Sequence, residues 1–432
     1  METKIIGNFV LSMETIVLEN GLRVVTEPSV TDVVYCGVAV DAGTRDELDG
    51  EDGIAHFTEH LTFKGTTRRK SWHILNRMES VGGDLNAFTG KEETVYYCTF
   101  LKQHFNRAID LLLDIVFNST YPQHEMDKEV EVVIDEIESY RDSPAELIYD
   151  EFEDLVFCGH PLGHNILGEA DGLRTMRSED VQRFVHRLYR PDRMVLFVKG
   201  NIPTKQVLRA IHNSLSLVHN SHLTTQGKVA HPEQPSDYEL TQRLAPPPYI
   251  PQNKTLNKDT HQAHVLMGTR SFGATDPRHL HLYLLNNILG GPGMNSRFNL
   301  ALREKNGLVY TVESNSVCYT DTGVWSVYFG CDKADVKRCQ RLVLRELKRL
   351  TDRPLTDREL AAAKRQIIGQ IGISYDSFEN VAIGMGKRFL HYNRTQTCEE
   401  LCRKVEALTA EELFRTANEL FCPDQLSTLV YI

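Results

Sequence analysis

The stretch His56-Phe57-Thr58-Glu59-His60 places two imidazoles four residues apart, with a carboxylate directly before the second. On a helix, positions i and i+4 share one face, one turn apart. Two imidazoles so placed can hold one zinc ion at about 2.0–2.1 Å. Glu59, beside them, can take a proton from a zinc-bound water whose pKa the metal lowers toward about 7. The competing reading is an ordinary polar run on a helix, because among chains with 17 histidines composition alone produces such a pattern in about a few per cent. A catalytic zinc also needs a third protein ligand.

The segment HEMDKEVEVVIDEIESYRDSP offers one. Met126, Val130, Val133, Ile134 and Ile137 form one helical stripe. Glu129 and Glu136 stack seven residues apart at its edge, while Glu131 and Glu138 point toward solvent. A carboxylate at the edge of a buried stripe needs a partner. Either a lysine or arginine, or a zinc ion, satisfies that need, and periodicity leaves both open.

The elements that must position these groups follow from local pattern. Gly53 marks the entry of the first helix, and Ile54, Phe57, Leu61 and Lys64 fall at helical spacing. On a larger scale the chain reads as one unit used twice. MRSEDVQRFVHRLYRPDRMVLFVKG, from Met176, and LTAEELFRTANELFCPDQLSTLVYI, from Leu408, share Glu179/Glu411, Arg183/Arg415, Leu188/Leu420, Pro191/Pro423 and Asp192/Asp424 at one constant offset. Each half also has a β-rich opening (VVYCGVAV, HQAHVLMGTRS) and a later strand-like run (TVYYCTF, VWSVYFGC) followed by a long helix. A repeat of this length predicts two similar α+β domains. Residues 1–219 form the first, the polar, proline-rich residues 220–259 a linker, and residues 260–432 the second.

The chain's 432 residues, 41% hydrophobic and 25% charged, fit a globular protein of more than one domain. No apolar run approaches the roughly 18 residues of a membrane span. The N-terminal stretch lacks the features of a secretory signal or mitochondrial transit peptide, and Met13 repeats the Met-Glu-Thr of residue 1 as an alternative start. A net charge of −11 disfavours nucleic acid as a partner. Nine cysteines without a disulfide rhythm point to a reducing cytoplasm. Cys398 and Cys402, four apart without a second pair, read as plain residues. In LGGPGMNSRFNLALREKNGLVY no Gly-Lys-Ser/Thr follows the glycines, which excludes a phosphate loop.

With these residues in hand, the chain resembles the pitrilysin-type (inverzincin) zinc metallopeptidases along residues 13–432. That family includes insulin-degrading enzyme, the mitochondrial processing peptidase and half-size bacterial homologues, and the pattern is that of a half-size bacterial member similar to the processing peptidase beta subunit. In the family a glutamate lies roughly 76 residues past the second histidine, which lands on Glu136. The resemblance implies that His56, His60 and Glu136 hold one Zn2+ per chain, that Glu59 is the catalytic base and that Glu129 supports the ligands. It implies that Asn86, Ala87 and Phe88, in GGDLNAFTGKEETVYYCTF, belong to an edge strand that receives substrate. Arg303 and Tyr310 match an arginine–tyrosine pair that binds substrate and steadies an oxyanion. LHLYLLNNILGG stands where a second zinc motif would lie and cannot hold a metal, and His160 and His164 match a metal-free turn.

The fold so implied is two homologous processing-peptidase-like α/β sandwich domains. Each has a mainly antiparallel sheet with helices on one face. The activity is metalloendopeptidase cleavage of short or unfolded peptides in the chamber of a homodimer. The alternatives are a non-catalytic scaffold and a partner-dependent subunit of a heteromeric processing peptidase.

Overall fold

β-Branched and aromatic residues fill the runs VVYCGVAV and TVYYCTFL, and both are strands in the computed structural model of the protein, which describes residues 13–217, 229–230 and 243–432. Met1 and most of residues 220–242 of the expected linker lie outside the described residues. The chain packs as two units. Unit 1 contains the residues up to Asp135, Ile166–Arg243 and Tyr375–Thr395. Unit 2 contains Glu136–Asn165, Leu244–Ser374 and Gln396–Ile432.

Unit 1 holds a seven-stranded sheet of β1 (Glu14–Leu18), β2 (Arg23–Pro28), β3 (Val33–Val40), β4 (Asp84–Thr89), β5 (Thr94–Leu101), β6 (Met194–Gly200) and β7 (Val229–Ala230), in the order β4-β5-β3-β6-β2-β1-β7. All neighbours are antiparallel except β2 and β6. Unit 2 holds β8 (Asn253–Leu256), β9 (Ala263–Phe272), β10 (Val309–Cys318), β11 (Thr322–Cys331) and β12 (Ser427–Tyr431), ordered β10-β11-β9-β12-β8. Its only parallel pair among the described strands is β12 with β8. Strands β2 to β6 thus reappear as β8 to β12 with the same neighbours and the same single parallel pair. This is the repeat expected from the sequence, and the fold is mixed α/β with antiparallel-rich sheets.

Two departures have physical reasons. Residues 253–256, inside the expected linker 220–259, form β8. Three of its four residues are exposed, so it lacks apolar alternation; it is ordered by backbone pairing with β12, far away in sequence. The packing units are also not the contiguous segments 1–219 and 260–432. The helix Phe378–Tyr392 packs on β3 and β6 of unit 1, and the helix Pro144–Val156 packs on β9 and β12 of unit 2. Their apolar faces match the sheets of the other half of the chain. Ala382, Met385, Phe389 and Leu390 bury with Val25, Ala39, Val195 and Phe197, while Ile148, Phe152 and Leu155 bury with Leu266, Leu429 and Tyr431.

Phe197 shows how closely the first contact is fitted. A Cβ on Gly386 would lie 2.4 Å from its ring, and one on Gly37 would lie 2.5 Å from it. Arg23, buried in the same unit, donates from Nη1 to the carbonyls of Phe389 and Leu390, both at 3.0 Å. This satisfies carbonyls at the helix C-terminus, where a cation is favoured.

Candidate metal centre and substrate-strand site

The His-x-x-Glu-His segment lies on the helix Ile54–Thr62. Gly53 precedes it at φ +85, and a Cβ there would meet the Leu167 carbonyl at 2.7 Å, so glycine is required. Buried Glu47 caps the helix, accepting from the backbone N–H of Gly53 at 3.1 Å and of Ala55 at 2.9 Å. At the far end Thr62 Oγ1 donates to the Thr58 carbonyl at 2.8 Å and lies 3.2 Å from the Tyr96 hydroxyl, which in turn lies 3.0 Å from that of Tyr189. The helix stops at Thr62, so Lys64, read from spacing as a continuation, lies past its end.

There Lys64 has another role. Its Nζ lies 2.5 Å from Glu129 Oε2, while Glu129 Oε1 lies 3.0 Å from His60 Nδ1. Burial pushes the Glu129 carboxyl up, but the hydrogen bonds from His60 and Lys64 outweigh it and hold the carboxyl below the usual range. A carboxylate at Nδ1 fixes the tautomer in which Nε2 is the ring nitrogen suited to ligate a metal. Burial, with the neighbouring His60 ring second, lowers the pKa of His56 to about 3. The neutral imidazole so favoured is the form that ligates.

Glu129 and Glu136 lie on the continuous helix Gln123–Arg141, whose stripe Met126, Val130, Val133, Ile134 and Ile137 is buried. Of the partners left open by the sequence, Glu129 has its lysine, while Glu136 joins a cluster of potential ligands. One ligand atom each from His56, His60 and Glu136 all lie within 4.8 Å of one another. His56 is buried, His60 half-buried and Glu136 exposed. Two imidazole nitrogens and a carboxylate oxygen, with one imidazole already oriented by Glu129, fit a zinc ion with a further coordination position.

Glu59 is 8% exposed, and its Oε2 accepts a hydrogen bond from Thr89 Oγ1 at 2.6 Å. Thr89 closes β4, the edge strand of its sheet, which also carries Asn86, Ala87 and Phe88. Sequence reasoning missed Thr89, Glu47 and Lys64 as partners of the site; the signals were a hydroxyl at the end of NAFT and a lysine four residues past His60.

In unit 2, Arg303 and Tyr310 line one cavity of about 660 Å3, with the Arg303 guanidinium 5.5 Å from the Tyr310 ring centre. Arg303 lies in the last turn of the π-helix Asn299–Glu304, and Tyr310, 83% exposed, stands on β10, the edge of its sheet. Asn286, Glu313 and Gln370 add polar groups to the lining. His160 is buried and held from both sides: Nε2 lies 2.9 Å from the Leu244 carbonyl, and Nδ1 accepts from Leu162 N at 3.2 Å. The described cysteines are free, Cys398 and Cys402 among them. No helix among the described residues is long and apolar enough to cross a membrane.

Comparison with known proteins bears on the family and the fold. Residues 23–170 match the family described as insulinase (peptidase family M16), and residues 175–367 match the peptidase M16 inactive domain. The Bacillus subtilis protein YmxG, described as an uncharacterized zinc protease, is 32% identical over 95% of this chain and 96% of its own. The Mycobacterium tuberculosis protein Rv2782c, described in the same words, is 33% identical over 93% of this chain and 89% of its own. The crystal structure of a protease from Helicobacter pylori has the same fold, with a TM-score of 0.86 at 22% identity over 98% of this chain and all of that one. The zinc-type motif, the paired sheets and these relatives lead to one assignment: the chain belongs to the M16 family of peptidases.

Proposed function

We propose that the chain is a zinc-dependent metalloendopeptidase that hydrolyses short or unfolded peptides as a homodimer. The observation that carries this reading is the convergence of ligand atoms of His56, His60 and Glu136 within 4.8 Å, with the buried carboxylate Glu59 on the helix that carries the two histidines. His56, His60 and Glu136 would hold the zinc, one ion per chain. When bound, zinc supplies a water of lowered pKa, near about 7, and polarises the carbonyl to be cleaved. Glu59 takes the proton of the attacking water and returns it to the leaving amine.

The peptide lies extended along β4, pairing through its main chain with Asn86–Phe88. This mode tolerates varied sequence because every residue offers the same backbone groups. Arg303 and Tyr310 donate to the developing oxyanion. The zinc motif occurs once in the sequence, and the arginine–tyrosine pair lies in the other half. That division supports a homodimer in which the second domain of one copy serves the zinc of the other. The free cysteines support a reducing, cytoplasmic setting.

The test is hydrolysis of a mixed set of unstructured peptides by wild type and Glu59→Gln, with zinc content and size-exclusion mass determined for both. Wild-type cleavage, with a drop of about 10²–10⁴-fold in the zinc-loaded variant, is the expected result. No cleavage by a zinc-loaded wild-type dimer would sink the reading in favour of a scaffold or a subunit that needs a different homologue.

A further inference from the structure

The turn joining β4 to β5 is an unusual place for buried charge. Turns ordinarily sit in water, yet Lys91, Glu92 and Glu93 are 7%, 4% and 7% exposed. Burying charges costs more than pairing returns unless the geometry is good, and such networks are weak devices for stability. Here each glutamate is held by groups from elsewhere in unit 1. Arg45 lies 2.6 Å from Glu92, and Arg243 donates to the Glu92 carbonyl at 2.8 Å. His391 Nε2 lies 2.9 Å from Glu93 Oε2, and Lys387 lies 2.5 Å from Glu93 Oε1. The backbone is fastened as well: Arg45 N donates to the Lys91 carbonyl at 2.7 Å, and Gly90 N to the Glu93 carbonyl at the same distance.

What this network holds still is Thr89, the residue immediately before the turn. Its hydroxyl has one proton, and the 2.6 Å contact with Glu59 Oε2 takes it. The neighbouring Thr94 hydroxyl, which donates its own proton to the Ala42 carbonyl at 2.9 Å, is at 3.5 Å a far weaker acceptor for that proton than the carboxylate at 2.6 Å. An O–H···O⁻ bond of this length is charge-assisted and among the stronger kinds.

We propose that Thr89 is a positioning residue for Glu59. Its hydroxyl aims the base, and the buried ion network beneath the turn fixes the hydroxyl, so that the strand receiving the peptide and the base move as one piece. The proposal rests on the peptidase reading for its kinetic consequence. A misplacement of about 1 Å in a reacting group can cost on the order of 10²-fold in rate.

The experiment compares wild type, Thr89→Val and Thr89→Ser for zinc content, KM and kcat on unstructured peptides, with crystal structures of all three. Valine keeps the shape and loses the hydroxyl; serine keeps the hydroxyl. The expected result is wild-type zinc content and KM in Thr89→Val, with kcat lower by about 10–100-fold and Glu59 in more than one rotamer. Thr89→Ser recovers most of the kcat and the single rotamer. A Thr89→Val enzyme with undiminished kcat overturns the proposal. So does zinc loss in that variant, or equal impairment of valine and serine variants, since either marks a merely structural role. A single unchanged Glu59 rotamer in Thr89→Val overturns it even if wild type cleaves nothing, the separate outcome that would remove the peptidase reading.

Discussion

The helix Ile54–Thr62 and the helix Arg278–Gly290 hold the same place in two like sheets. Each follows a central strand, β3 or β9, and packs against an edge strand, β4 or β10. The first presents His56, Glu59 and His60. The second buries Leu282, Leu284, Leu285 and Leu289, and one of its polar residues, Asn286, ties neighbours together. Asn286 Oδ1 accepts from Trp325 Nε1 at 3.0 Å, its Nδ2 donates to the Ser314 carbonyl at 3.0 Å, and Ser314 Oγ donates to its carbonyl at 3.2 Å. The scaffold therefore supplies a helix beside an open strand edge, and a few side chains decide whether that junction carries a metal-type cluster or a structural knot. In the second unit the chemically equipped groups, Arg303 and Tyr310, lie beyond the helix, at the strand edge itself.

Substitution separates the two regions most sharply at the proposed ligands. His60→Ala should abolish both zinc binding and hydrolysis, as read by metal analysis and peptide cleavage, because two remaining protein ligands do not make a catalytic zinc site. Tyr310→Phe should do the opposite for metal: full zinc content, with kcat lower by up to about 10²–10³-fold, the cost of one oxyanion donor. Zinc loss in Tyr310→Phe would break the division of labour between the two regions. Glu129→Gln lies between these extremes. It weakens the hold on His60 Nδ1 and leaves Lys64 with a poorer partner, so zinc affinity measured by competition with a chelator should fall by about 10–100-fold.

The regions also differ in how far their sequence reveals them. HFTEH and the stripe from Met126 to Ile137 are local patterns of period 3.6, and both form helices. The duplication is legible because β3, β5 and β6 recur as β9, β11 and β12 in similar runs, whereas the order of the strands in each sheet comes from the structure. β8 was not legible, since its order comes from parallel pairing with β12 and its own residues are mostly exposed. Nor was the exchange of the helices Pro144–Val156 and Phe378–Tyr392 between the sheets, because an apolar face does not state which sheet it will cover. The buried charges of the β4–β5 turn look, in sequence, like any solvated turn; their partners Arg45, Arg243, Lys387 and His391 are brought together by the tertiary fold alone.

The smallest expected effect tests the second region on its own terms. Asn286→Ala removes the acceptor of a fully buried indole N–H and the donor to the Ser314 carbonyl. Each polar group left unsatisfied in the interior costs about 1–3 kcal/mol, so the variant should show a lowered denaturant midpoint with zinc content unchanged. Trp325→Phe alone leaves a partly filled space and also destabilises. It removes, however, the donor that Asn286→Ala leaves stranded. The double variant should therefore lose less stability than the sum of the two single changes, a coupling of about 0.5–3 kcal/mol for residues in contact. Strict additivity would show that the Asn286–Trp325 bond does not hold the helix to β11 in solution. The structural half of the comparison would then rest on leucine packing alone.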